Sequence, residues 1–406
     1  MIPLLRAFVR TRWLAHRLKT RGDVARWQAA QLERWRARIL RQFPAARDGS
    51  EPPVMDKAVL MADFAAFNRI GLTADEGWAM FEGRAPQRPG FSVGASTGTS
   101  GNRGLYVVSD AERQMWVGTM LAKTLPRFPL ETARIALVLP LNSALYRSAA
   151  HTARLQLRFF DLNDGLDGLL PRVAACAPDT LIAPPKVLRA LAEADLPLKV
   201  KHVFSGAEVL DPLDRAVIEA RFGVIVREIY MATEGLLGVA CAHGTLHLCE
   251  DVMHFEWAPA DGLVNPIISD FTRTTQAMCR YSLNDLLRLS EAPCPCGSPL
   301  QAVAAIEGRC DDILVLDGKR VTPDVLRNVL VDADRRIGDF RLRQTAADRL
   351  ELTLSDDLPT DAARAAQAAL AACLARLGIV ASVGLEQARL TTSARKLRRV
   401  ERVWHG

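Results

Sequence analysis

Between Gly94 and Gly104 the chain reads Gly-Ala-Ser-Thr-Gly-Thr-Ser-Gly-Asn-Arg-Gly. Glycines at 94, 98, 101 and 104 let the backbone bring its N–H groups close to a ligand, and the hydroxyls of Ser96, Thr97, Thr99 and Ser100 add donors without bulk or charge. Such a loop suits a polyphosphate. No Lys-Ser or Lys-Thr follows its last glycine, so it is not a Walker loop. Its flanks, Phe91-Ser92-Val93 and Leu105-Tyr106-Val107-Val108, read as strands, whereas a dinucleotide fingerprint opens a helix. Taken alone, the segment reads as a polar hairpin loop.

A second chemistry lies in the cysteines. Cys241 and His247 form one pair, and Cys294-Pro295-Cys296-Gly297 places two thiols on one tight turn. Three thiolates and an imidazole complete a tetrahedral set for structural Zn2+, with no position left for an activated water. Cys249 or His243 could replace one of these ligands, and the alternative is reduced, unliganded thiols.

Further motifs follow in order: Ser205-Gly206-Ala207-Glu208, Tyr230-Met231-Ala232-Thr233-Glu234-Gly235, Arg280-Tyr281-Ser282-Leu283-Asn284-Asp285-Leu286, Gly308-Arg309-Cys310-Asp311-Asp312 and Thr392-Ser393-Ala394-Arg395-Lys396. With the hydroxyl loop, this succession resembles the adenylate-forming superfamily of acyl-CoA synthetases, and most closely its phenylacetate-CoA ligase-like branch, over roughly residues 53–400. Similar Cys/His segments occur in that branch.

The resemblance implies a role for each motif. Ser96, Thr97, Gly98, Thr99, Ser100 and Gly101 match the family's phosphate loop, with Asn102-Arg103 where Lys-Pro is common. Arg103 either supplies the lost charge or faces solvent. Thr233 and Glu234 resemble the pair that contacts the α-phosphate and holds Mg2+. Tyr230 would lie along the adenine face, with Gly206, Ala207 and Glu208 at its edge. Asp285 matches the carboxylate that accepts both ribose hydroxyls, although Leu283-Asn284 replaces the usual Thr-Gly before it. Arg309 joins it at the ribose, and Asp311 corresponds to the hinge of a rotating lid. Lys396 resembles the mobile lysine that bridges the attacking carboxylate and the α-phosphate; the bland alternative is a solvated basic tail. Gly318 resembles a glycine on the pantetheine path.

The elements that must position these residues alternate between apolar runs and helical patterns. Strands are expected at Ile135 to Leu141, Thr180 to Ala183, Val200 to Phe204 and Val224 to Ile229, and helices at Val187 to Ala194 and Asp211 to Arg221. This is the pattern of a layered α/β fold. The resemblance extends it to a large layered body of the adenylate-forming type with a small, mobile α+β C-terminal lid. Residues 1–47 read as a basic helical segment on the body, 48–308 as the ATP- and acid-binding domain, and 309–406 as the lid, running strand, helix, strand, strand, helix, strand with its clearest helix at Ala362 to Leu377. Val9 to Phe43 reads as two helices split near Gly22 and Asp23. The sequence favours their Trp face packing on the body with arginines in solvent, not an interfacial helix on anionic lipid.

Composition sets the outer limits. The 406 residues are 49% hydrophobic and 24% charged, which excludes a disordered or collagen-like chain, and no apolar run reaches membrane-spanning length. The net charge of +6 is uneven: residues 1–47 carry 11 Arg and one Lys against Asp23 and Glu33, leaving the remainder at −4. A mildly acidic body with one basic segment argues against nucleic acid as partner. The first residues lack a secretory pattern, so the expected compartment is cytoplasmic. The expectation is an ATP- and magnesium-dependent ligase that makes an acyl-adenylate from a small-molecule carboxylic acid, first of all an aryl or arylacetic acid, and passes it to coenzyme A. The alternatives are adenylyl transfer to a small molecule, loading of a carrier protein, or a nucleotide-binding component without turnover.

Overall fold

The computed structural model describes residues 2–42, 52–96, 103–139, 154–390 and 398–404. The strands of the body are β1 (Phe91–Ala95), β2 (Leu105–Ser109), β3 (Ala133–Leu139), β4 (Leu155–Asp161), β5 (Thr180–Ala183), β6 (His202–Gly206), β7 (Val226–Ala232), β8 (Gly235–Ala240), β9 (Leu246–Leu248), β10 (Met253–Ala260), β11 (Leu263–Asp270), β12 (Tyr281–Ser282), β13 (Asp285–Leu289) and β14 (Ala302–Arg309). Most of them form one sheet in the order β10-β11-β13-β14-β9-β8-β7-β6-β5-β3-β4, with β12 beside β11. From β4 to β7 neighbouring strands run parallel; beyond β7 they are antiparallel.

The two halves follow from their side chains. β5 is buried at every position because both faces are covered. Leu181 and Ala183 pack into one core with the helices Pro185–Glu193 and Pro212–Phe222, while Ile182 points into a second core with Leu137 and Phe204. A continuous apolar run is what a doubly covered parallel strand requires. Helix Pro212–Phe222 carries its stop signals in sequence: Asp211 accepts the Leu213 N–H at 3.0 Å, proline opens the first turn, and Gly223 closes it at φ 65°. The expected strands and helices are found within one to three residues of their ends, and residues 140 and 141 of the first run lie outside the described residues.

The N-terminal segment forms α1 (Ile2–Arg17) and α2 (Arg21–Gln42), so the break comes before Gly22, not at it. Thr20 and Asp23 set it: the Thr20 hydroxyl accepts the Asp23 N–H at 3.1 Å, and the Asp23 carboxylate accepts the Thr20 N–H at 2.9 Å. This reciprocal cap starts a helix at residue 21. Two short helices, α3 (Lys57–Ala62) and α4 (Ala74–Phe81), precede the β1–β2 hairpin, and α5 (Asp110–Thr124) follows it. Helix α1 lies along α5. A Cβ on Gly118 would come within 2.2 Å of the Leu4 carbonyl oxygen, so the bare glycine permits that approach.

After β14 come β15 (Leu314–Leu316) and β16 (Lys319–Val321), a hairpin where one strand was expected. Then β17 (Phe340–Ala346), β18 (Arg349–Leu354), β19 (Ser382–Gln387) and β20 (Val400–Arg402) form a sheet in the order β19-β18-β17-β20. Helices Pro323–Ala333 and Thr360–Arg376 accompany it, and Leu326, Leu330, Leu342, Leu352 and Leu370 share a core separate from the body's.

Candidate active site

The two lobes enclose a cleft of about 740 Å³. Ser96, Gly206, Ala207, Glu208, Tyr230, Thr233, Glu234, Asp285 and Arg309 all line it from the body, and Pro323, Arg327, Arg398 and Arg399 line it from the C-terminal unit. Thr97, Gly98, Thr99, Ser100, Gly101 and Lys396 lie outside the described residues. Described residues from five motifs scattered over the sequence therefore line one cavity.

At the foot of the hydroxyl loop, the Ser96 N–H donates to the Gly104 carbonyl at 2.7 Å and the Gly104 N–H donates to Ser96 Oγ at 2.8 Å. This closes the neck of the hairpin. Arg103 is exposed, with its guanidinium 5.3 Å from the Trp78 ring centroid and 5.1 Å from that of Phe81. Tyr106 crosses over Gly94, its register partner on the other strand, where an added Cβ would lie 2.2 Å from the phenol ring. The ring forms part of the cleft wall with Trp116 and Met120 of α5, Leu137 and Leu139 of β3, and Ile182.

Carboxylates line the same cleft. The turn after β7 presents Glu234, nearly buried, whose carboxylate accepts the Thr233 hydroxyl at 2.8 Å and hydrogen-bonds with the Tyr281 phenol. Burial, and then the Glu234 charge, push the Tyr281 hydroxyl far above its ordinary range and keep it protonated. The Tyr230 hydroxyl donates to Asp285 Oδ2 at 2.6 Å. Burial, then Asp285 itself, hold Tyr230 in the same protonated state. Asp285 and Arg309 are direct partners in the β13–β14 register, so strand pairing sets the two residues opposite each other, and both line the cleft. Asn284 donates to the Asp311 carboxylate, which ties the turn before β13 to the segment after β14. Just after β6, Ala207 takes φ 68°, and Lys186 and Glu208 form a buried ion pair at 3.0 Å.

The C-terminal unit is held by charge. Arg399 reaches Asp214 at 2.9 and 3.0 Å and Asp339 at 2.9 Å, and Arg398 reaches Asp312 at 2.9 Å. Arg189 adds a second guanidinium on Asp214 at 2.9 Å. Arg398 and Arg399 are thus not part of a solvated tail.

The proposed metal ligands also come together. The donor atoms of Cys241, His247, Cys294 and Cys296 lie within 4.8 Å of one another. Cys241 Sγ is 3.7 Å from Cys294 Sγ, and Cys296 Sγ is 3.3 Å from His247 Nε2. Register produces this: β9 pairs with β14, placing His247 opposite Ala302 and hence beside the preceding cysteine loop. His247 Nδ1 lies 3.1 Å from the Leu300 carbonyl, an acceptor that favours the tautomer with Nε2 free for a metal. Cys249 is fully buried; it and His243 stand outside the group.

Several cleft residues escaped the sequence reading, including Tyr106, Trp116, Met120 and Arg327. Trp116 and Met120 stand four apart on α5, but the same spacing marks any core-facing helix stripe. Leu139, Met231 and Ala232 line the cleft as well, and residues 140–146 lie outside the described residues.

No protein-family model matches the chain. No curated protein matches it either. Solved structures do. A 2-hydroxyisobutyryl-CoA ligase in the postadenylation state superposes with a TM-score of 0.67 at 19% identity, covering 92% of this chain and 89% of that one. The amide bond synthetase McbA from Marinactinospora thermotolerans gives 0.56 at 14% identity, over 77% of this chain and 69% of that one. A benzoate CoA ligase from Burkholderia xenovorans LB400 gives 0.51 at 14% identity, over 73% and 65%.

Proposed function

We propose that this chain, which has the adenylate-forming ligase fold, joins a carboxylic acid to the α-phosphate of ATP with release of pyrophosphate and then passes the acyl group to coenzyme A. The observation that carries the reading is the convergence of Glu234, Tyr230–Asp285 and Arg309 on one interlobe cleft that apolar side chains also line.

In this reading Asp285 accepts the two ribose hydroxyls while Tyr230 fixes its orientation, and Arg309 adds a donor beside it. Gly206, Ala207 and Glu208 border the base. Glu234 and Thr233 offer a carboxylate and a hydroxyl to the cleft, the hard oxygen donors that magnesium takes. Bound there, the ion would neutralise charge on the phosphates. Ser96, Thr97 and Thr99 donate to the β- and γ-phosphates. Lys396 carries an ammonium that can bridge the attacking carboxylate and the α-phosphate as charge builds between them. The acid's oxygen forms the new bond to phosphorus, and the bond to pyrophosphate breaks. Positioning and electrostatics supply most of such a rate gain.

The apolar wall of Tyr106, Trp116, Met120 and Ile182 supports an aryl or other apolar acid as substrate. The four-residue Cys/His group fits zinc by donor type and proximity, and filled by protein alone its role would be to pin the Cys294–Leu300 loop to β8 and β9.

The test is ATP–pyrophosphate exchange over a panel of carboxylic acids, with products resolved by mass. Exchange with an apolar acid, and a thioester when coenzyme A is added, is the expected result. Adenylate transferred to another acceptor would replace coenzyme A in this reading. ATP binding without exchange for any acid would overturn it.

A further inference from the structure

Helix α1 has two apolar faces. Its inner face packs on the body: Leu14 is buried, Leu4 and Phe8 join the core around α5, and Ala7 meets Gly118. Its outer face carries Ile2, Leu5, Val9 and Trp13, which are 67%, 62%, 56% and 51% exposed. Steps of three and four residues put these four on one line, about 16 Å long at the helical rise. The expected packing of tryptophans on the body therefore holds for Trp35, which is buried, and for Trp27, which donates to the Asp251 carbonyl, but not for Trp13.

Basic residues border the line. Arg6 and Arg17 are exposed along one flank, and the Arg17 guanidinium lies 5.8 Å from the Trp13 ring centroid. Arg12, on the other flank, donates to the Leu125 carbonyl. The helix contains no acidic residue. Two copies of this face set against each other would oppose their arginines with nothing on the helix to neutralise them. An anionic bilayer complements both the apolar line and its basic border.

We propose that the outer face of α1 is a docking surface for anionic phospholipid, with Ile2, Leu5, Val9 and Trp13 entering the headgroup–acyl boundary and Arg6 and Arg17 meeting the phosphates. The inner face stays on α5, so the helix lies flat on the bilayer and carries the body with it. No described helix is long and apolar enough to cross a membrane. The contact is peripheral, reversible and salt-sensitive.

The experiment is co-sedimentation of the full chain with vesicles of phosphatidylcholine alone and of phosphatidylcholine mixed with phosphatidylserine. Partition into the mixed vesicles at low salt, and little into the neutral ones, is expected. Each removed arginine costs about fivefold in partition, so the double variant Arg6→Gln/Arg17→Gln falls about 25-fold. The double variant Val9→Gln/Trp13→Gln loses at least as much while keeping the wild-type melting temperature, because both positions are exposed. Absence of wild-type partition, or equal partition by the Val9/Trp13 variant, would overturn the proposal. So would a dimer in solution that this variant abolishes without any lipid binding, which would assign the face to a second copy.

Discussion

Tyr230 and Asp285, 55 residues apart, meet in a 2.6 Å hydrogen bond in the lining of the cleft. The donor is a phenol kept protonated by burial, so the carboxylate always receives it. Tyr230→Phe leaves Asp285 in place without its guide. The expected outcome is a rise of about tenfold in KM for ATP with kcat nearly unchanged, in line with a hydrogen bond to a charged group. A loss confined to kcat would show instead that Tyr230 acts in the chemical step.

Lys396→Ala should abolish adenylate formation while nucleotide affinity, measured by calorimetry, stays within about threefold, because the ammonium is asked to act on charge that builds only in the transition state. Undiminished pyrophosphate release removes Lys396 from the mechanism.

Arg399 and Asp214 join the C-terminal unit to the body in a nearly buried ion pair. Asp214→Ala leaves two guanidiniums, those of Arg399 and Arg189, without their shared carboxylate, and about 3 kcal/mol should be lost in urea unfolding. The double variant Asp214→Ala/Arg399→Met should recover part of that loss. Strictly additive costs would mean the pair is not coupled.

Glu112 ties three segments together. Its carboxylate accepts N–H groups of Ser109 at 2.7 Å and Thr275 at 2.8 Å, beside the fully buried Arg273, whose guanidinium lies 5.3 Å from the Trp116 ring centroid. Burial alone would raise this carboxyl; Arg273 and the hydrogen bonds from Thr275, Ser109 and Thr274 outweigh it and push it down to about 2. A carboxyl lowered on folding stabilises above its ordinary value near 4.5 and loses that contribution as pH falls toward 2. The difference is roughly 3 kcal/mol at neutral pH. Stability should therefore drop between pH 4.5 and about 2, and Glu112→Gln should flatten that part of the profile.

Zinc at Cys241, His247, Cys294 and Cys296 should appear as about one ion per chain by elemental analysis. Chelation, or Cys296→Ser, should speed proteolysis within the 291–300 loop and lower the melting temperature, while pyrophosphate exchange per folded molecule persists. A protein purified mildly with only a trace of metal would rule the site out.

The local architecture was legible because its causes are local. Continuous apolar runs marked β5 and its neighbours, Asp211-Pro212 and Gly223 bracketed a helix, and the glycine and hydroxyl loop between two strand-like flanks became the β1–β2 hairpin. The residue types of the site were legible as well: carboxylates, hydroxyls and thiols name their chemistry, and their order along the chain pointed to one kind of ligand. Thr20 shows the limit even here, since a cap depends on which hydroxyl and carboxylate find each other, and Gly22 was the more conspicuous signal.

What the chain could not disclose by itself was contact between distant segments. Asp285 is opposite Arg309 because that end of β13 pairs with the end of β14, and His247 reaches the cysteine loop because β9 pairs with β14; a shift of one residue would turn either side chain to the other face. Asn284, an oddity in its motif, acquires a purpose only when Asp311 arrives beside it. Trp13 reads like Trp27 and Trp35 in a helical repeat, yet it faces outward because Gly118 seats α1 by its other side. Residue types and short-range signals belong to the sequence; which face is covered, and which groups share a cavity, belongs to the packing of elements that are neighbours only in space.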